Sequence, residues 1–120
     1  MDEFKNLGMG YLYNLWNGTI KEYYGRILHR DKYIDHNRII IPERTYFMAL
    51  DEHGRVIKKL LCSGVEGEIC NKGVWLYESD VSRAAQILIN YEEEQIAKLE
   101  FQIQNHKELI ETLKKDVEAQ

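Results

Sequence analysis

The sequence predicts an α+β chain, with a small antiparallel β domain over residues 1–78 and a long C-terminal amphipathic helix over 79–120 that forms a coiled coil. Three observations predict it. Asn17-Gly18 sits between two strand-like runs, and Asn-Gly readily adopts the positive φ angles of a two-residue type I′ hairpin turn. Asp51-Glu52-His53-Gly54 separates two further runs, with its glycine near the turn. From Ser79 to Gln120 there is no glycine or proline, and the apolar spacing changes from two to an alternation of three and four.

The strands follow in order. Tyr11–Trp16 and Thr19–Ile27 flank the first hairpin. Arg38–Ile41 is a short β-branched run halted by Pro42, the only proline, which suits an edge or a strand end. Arg44–Leu50 and Arg55–Cys62 flank the second hairpin. Glu68–Cys70 is a short run in a loop punctuated by Gly64, Gly67 and Gly73, and Val74–Tyr77 is the last strand. Short connections make the pairings mostly antiparallel.

Ser79 and Asp80 are good N-cap residues for the helix. Forty helical residues would extend about 60 Å, more than a small β domain covers. Val81, Ala84, Ala85, Leu88 and Tyr91 give the first turns a small-residue apolar side suited to lying against a sheet. Ile96, Leu99, Ile103, His106, Ile110, Leu113 and Val117 then form a heptad seam for oligomerisation. β-Branched residues at a and leucine at d favour a parallel two-stranded coil, with His106 a polar d position that sets register. The alternatives are a helix folded back on its own domain, or a break near Asn90–Gln95 giving a helical hairpin.

Charge separates the two regions. The net charge is −4, yet residues 1–78 balance at 11 basic and 11 acidic residues, while 79–120 hold 5 basic against 9 acidic. An acidic helix is a poor partner for a phosphate backbone, so nucleic acid is disfavoured and any anion site belongs to the first region. No apolar run approaches the roughly 20 residues that span a bilayer. The acidic start, Met1-Asp2-Glu3-Phe4-Lys5, has no secretory h-region. A soluble cytoplasmic protein with reduced Cys62 and Cys70 is the expectation.

No cofactor or metal motif emerges. His29, Asp31, Asp35 and His36 match no ligand spacing, Arg30 and Lys32 intervene, and a solvated loop is the plainer reading. Cys62 and Cys70 have no second pair to make a zinc ribbon. Ser63-Gly64 is not a nucleophile elbow, Gly64–Gly67 lacks the lysine of a P-loop, and Glu66 and Glu68 read as solvated, so no enzyme is expected. The informative feature is a mixture of aromatics and arginines. Aromatic faces stack on bases and guanidinium groups fork onto phosphates. Trp16 and Tyr24 beside the first hairpin, and Arg26, Arg38 and Arg44 in or beside strands, are the candidate ligand-binding residues. The plainer reading makes them core and surface filler. Along Tyr11–Trp16, either Tyr11, Tyr13 and Leu15 or Leu12, Asn14 and Trp16 must line the core.

The layout of Tyr11–Tyr77 followed by Ser79–Gln120 resembles the anti-Thoeris sponges of bacteriophages, a compact β core followed by C-terminal helices that interlock protomers. That resemblance implies sequestration of a cyclic ADP-ribose-type signal without cleavage. It carries over no binding residue, and the uninterrupted helix departs from that group, whose C-terminal part contains more than one helix. Other phage inhibitors, including anti-CRISPR proteins, share the size and acidity. The expected function is therefore a non-catalytic oligomeric protein that binds itself and a small nucleotide. Its rivals are an inhibitor or adaptor of a host defence protein and a phage structural component.

Overall fold

The computed structural model describes residues 4–119. The reading of Met1–Glu3 and the last helical position, Gln120, lie outside them. The fold is α+β: an antiparallel sheet region followed by one long C-terminal helix. Strands β1 (Lys5–Trp16), β2 (Thr19–Arg30), β3 (Tyr33–Ile34), β4 (Ile40–Ile41), β5 (Arg44–Leu50), β6 (Val56–Cys62) and β7 (Gly73–Leu76) precede helix α1 (Val81–Glu118). Five strands form one sheet in the order β6-β5-β2-β1-β7, and β3 pairs with β4 in a separate two-stranded ribbon. Every pairing is antiparallel.

The turn chemistry explains the hairpins. Trp16 pairs with Thr19, and the two residues between them, Asn17 and Gly18, have φ of 50° and 78°. Those are the left-handed angles of a type I′ turn, whose twist matches that of the strands. At the second hairpin the Asp51 carboxylate accepts the backbone N–H groups of His53 and Arg55 at 2.9 and 2.8 Å. The side chain thus closes the loop together with the backbone bond from the Asp51 N–H to the Arg55 carbonyl at 2.9 Å.

Several boundaries differ from the sequence reading. β1 and β2 extend beyond Tyr11 and Ile27 into 12-residue strands, so His29 and Arg30 belong to the sheet and not to a loop. The predicted strand Arg38–Ile41 is only Ile40–Ile41. Arg38 has φ of 62° and donates its N–H to the Asp35 carbonyl in a turn, a geometry that ends a strand. Arg55 lies outside β6. Glu68–Cys70 contributes only an isolated bridge from Cys70 to Gly73.

Two compact units divide the chain, Met1–Leu88 and Ile89–Gln120. The first two helical turns thus belong with the β strands, ten residues beyond the division that the sequence suggests. Each alternating set of β1 contributes to a buried cluster, Leu12 from one and Tyr13 from the other, while Trp16 at the strand end stays exposed. On one face Leu12 packs with Ile27, Phe47, Ala49, Cys62 and Trp75. On the other Tyr13 packs with Val74, Leu76, Ala84 and Leu88. Gly25 lies opposite Gly10 at the centre of the β1–β2 ladder. A Cβ on Gly25 would stand 2.0 Å from the Met48 carbonyl oxygen, so only glycine admits this close approach of β2 and β5. The edge strands β6 and β7 approach each other, and the Trp75 indole donates to the Ser63 carbonyl just beyond β6.

α1 runs unbroken through Asn90–Gln95. Asp80 caps it by accepting the Arg83 N–H at 3.0 Å, satisfying one of the N–H groups that a helix start leaves without an intrahelical acceptor. Ala84 and Leu88 are buried, as a small-residue face against a sheet requires, whereas Val81 is 54% and Tyr91 40% exposed. No helix among the described residues is long and apolar enough to cross a membrane.

Candidate functional site

Strand alternation builds a cationic, aromatic row on the sheet face that carries Tyr13. β2 presents Tyr24, Arg26, Leu28 and Arg30 at alternate positions. β5 sets Met48, Tyr46 and Arg44 across from Arg26, Leu28 and Arg30. β6 adds Lys59 beside Met48 and Leu61 beside Tyr46. Arg26, Arg30, Arg44 and Lys59 thereby share one face around Tyr46.

The row is held by ring contacts. The Arg30 guanidinium lies 5.0 Å from the Phe4 ring centre and 4.8 Å from that of Tyr33. Lys59 Nζ stands 4.2 Å from the Tyr46 ring centre, and the Phe4 and Tyr46 rings are 6.0 Å apart. Such cation–ring contacts hold long side chains over the ring faces. The Tyr46 hydroxyl accepts from Arg44 Nη1 at a long 3.4 Å. That bond, together with the charges of Arg44, Lys59 and Arg30, lowers the phenol below its ordinary pKa, while the Arg44 guanidinium is raised by the same bond. The lowered phenol reports a local positive potential, whereas the raised Arg44 value reports stabilisation of its charged form by the Tyr46 oxygen. Among the described residues, Arg26, Arg44 and Lys59 form no ion pair. The surface therefore has cations free for an anion and exposed rings, Tyr24 at 47%, for a planar group.

The five predicted ligand residues do not all meet. Tyr24, Arg26 and Arg44 share this face. Trp16 is 59% exposed, but strand alternation puts it on the opposite face, where Lys58 Nζ lies 5.9 Å from its ring centre. Arg38 sits in the turn before β4. Arg30 and Lys59 join the group unannounced. The signal that finds Arg30 is the period of two running on through Arg26, Leu28 and Arg30 once β2 is taken to its full length.

Beside Arg44 opens a cleft of about 580 Å³, lined among others by His29, Glu43, Thr45, Cys62, Glu68 and Cys70. His29, Thr45 and Cys62 come from paired positions on β2, β5 and β6. His29 Nδ1 is 2.6 Å from Thr45 Oγ1, while Nε2 is 3.1 Å from Asp31 Oδ1 and 3.8 Å from Glu43 Oε2. A hydroxyl, an imidazole and a carboxylate in line is the order that activates a nucleophile. Here Thr45 is only 4% exposed, which closes its oxygen to a substrate. Burial, and then the neighbouring Cys70, push the Cys62 thiol up to about 12, so it stays protonated at neutral pH. Both cysteines are free. Among the described residues no group of three or more His, Cys, Asp or Glu is arranged to hold a metal ion.

The seam residues occupy the second unit. Ile96, Leu99, Ile103, Ile110, Leu113 and Val117 are between 49% and 73% exposed, and His106 is exposed with them. Ile110, Leu113, Lys114 and Val117 outline a shallow recess on the helix surface. No known protein family, curated protein or solved structure matches the chain.

Proposed function

We propose that this chain is a non-catalytic binding protein that self-associates through its C-terminal helix and sequesters a small phosphorylated nucleotide, cyclic nucleotides included, at the Arg26–Arg44–Lys59 face. One observation carries the reading: three unneutralised cations and an exposed tyrosine share one sheet face. Phosphate oxygens accept charge-assisted bonds from guanidinium and ammonium groups, and a base stacks on a ring. The seam supports the oligomeric half of the reading. An apolar row of this length left uncovered in water is normal only for a helix that acquires a partner. A role against host defence follows from the resemblance in layout to phage sponges.

The test is to incubate the protein with a panel of linear and cyclic nucleotides, isolate it, denature it by heat and identify what is released. Recovery of an unchanged nucleotide supports sequestration. A chemically altered nucleotide makes the protein an enzyme. If nothing is retained, the reading fails in favour of a protein partner.

A further inference from the structure

Resting on the self-association proposed above, we infer that the partner of the C-terminal helix is a second copy of the same chain running antiparallel, centred between Gln104 and Asn105. The heptad assignment fixes the flanking positions. With Ile96, Ile103, Ile110 and Val117 at a, the e positions are Glu93, Glu100, Lys107 and Lys114, and the g positions are Gln95, Gln102, Leu109 and Asp116. Charge at e is therefore divided, acidic in the first half and basic in the second. All four e residues are exposed, and among the described residues none makes an ion pair within its own chain.

In an antiparallel pair, e faces e and g faces g; in a parallel pair, e faces g. Residues at these positions set partner choice and orientation. About the Gln104–Asn105 centre, Glu93 meets Lys114 of the second copy and Glu100 meets Lys107, each twice by the two-fold symmetry of an isologous contact. Four opposite-charge pairs result, with no like-charge pair at e. The core layers are then Ile96 against Leu113, Leu99 against Ile110 and Ile103 against His106. The recess formed by Ile110, Leu113, Lys114 and Val117 receives Ile96 as its knob.

The competing arrangements lose this complementarity. Sliding the antiparallel pair by one heptad keeps only two of the four opposite-charge pairs and sets Glu100 against Glu100, or Lys107 against Lys107, and such like-charge juxtapositions disfavour wrong registers. A parallel pair sets Gln95 against Glu100, Gln102 against Lys107 and Leu109 against Lys114, with no opposite charges meeting, and stacks His106 on His106. The preference for β-branched a and leucine d concerns the number of strands in coils already parallel, so it does not decide direction.

Disulfide trapping in the full-length protein tests the direction. Leu99→Cys and Ile110→Cys chains are mixed, oxidised and mapped by peptide mass spectrometry, after light scattering has measured the mass of each. The inference expects a 99–110 link between chains. A 99–99 or 110–110 link overturns it while leaving self-association standing, whereas a monomeric wild type overturns both. Charge reversal gives a second readout that needs no new cysteine. Lys107→Glu with Lys114→Glu should weaken dimerisation by about tenfold or more, since every e pair becomes acidic. Adding Glu93→Lys and Glu100→Lys should restore it. Loss of affinity without that rescue, or no loss at all, contradicts the antiparallel register.

Discussion

The Tyr13 hydroxyl lies 2.6 Å from the Glu22 carboxylate, and the same oxygen accepts the Asp80 N–H at 2.7 Å. One buried side chain of β1 thus ties the β1–β2 hairpin to the start of α1. Ser79 Oγ donates to the same Glu22 oxygen at 2.9 Å. Tyr13→Phe should leave the Asp80 N–H without that acceptor and Glu22 short of a donor. The expected loss is about 1–3 kcal/mol of stability by chemical denaturation.

That relationship also predicts a pH dependence. Burial first, and then the Glu22 bond, raise the Tyr13 phenol above its ordinary value of 10.0. A raised pKa means that the folded state favours the protonated phenol. Its contribution is complete below pH 10 and is lost as pH rises through the folded value. Thermal melts should therefore show a loss of stability above pH 10 that is smaller in Tyr13→Phe than in wild type.

Gly25→Ala should be the most damaging single-methyl change in the sheet, costing about 3 kcal/mol, because its Cβ meets backbone that cannot rotate away. Gly18→Ala is the contrast. Its φ of 78° strains an alanine, but the space around it is open, so roughly 1 kcal/mol is expected. Equal denaturation midpoints for the two variants would contradict this account of strand packing.

The two cysteines should differ under a thiol reagent. Cys62 is 5% exposed with its pKa pushed up to about 12, whereas Cys70 is half-buried. Thiolate and access both control reactivity. One thiol should react in the native protein and the second only after denaturation. Two equally fast thiols would contradict the packing of Cys62.

On the sheet, Arg26→Ala, Arg44→Ala and Lys59→Ala should each weaken a bound nucleotide by about tenfold to a hundredfold in calorimetry, the scale of one charged hydrogen bond of roughly 1.5–3 kcal/mol. Trp16→Ala and Arg38→Ala, away from that face, should not. Equal binding by all five variants would remove the site.

Much of this was legible in the sequence, for local reasons. Asn17-Gly18 encodes its own turn, and the three-four spacing after Ser79 encodes a helix. Strand ends were less legible, because His29 and Arg30 carry polar side chains that read as loop until their pairing with Thr45 and Arg44 is known. The candidate site was half legible for the same reason. Tyr24, Arg26 and Arg44 follow from strand alternation, but which of Trp16, Arg38 and Lys59 joins them depends on sheet order and on the turn at Arg38. No local rule supplies either.

The most direct measurement of the central claim is the mass of the full-length protein in solution, with and without Leu99→Asp and Ile110→Asp. A charge buried without a partner in the seam costs several kcal/mol. Multi-angle light scattering should give the wild type twice the 14.2 kDa of one chain, or a higher multiple, and the double variant a single chain with unchanged circular dichroism per residue in the β region. A wild type of 14.2 kDa, or a double variant of unchanged mass, would contradict it.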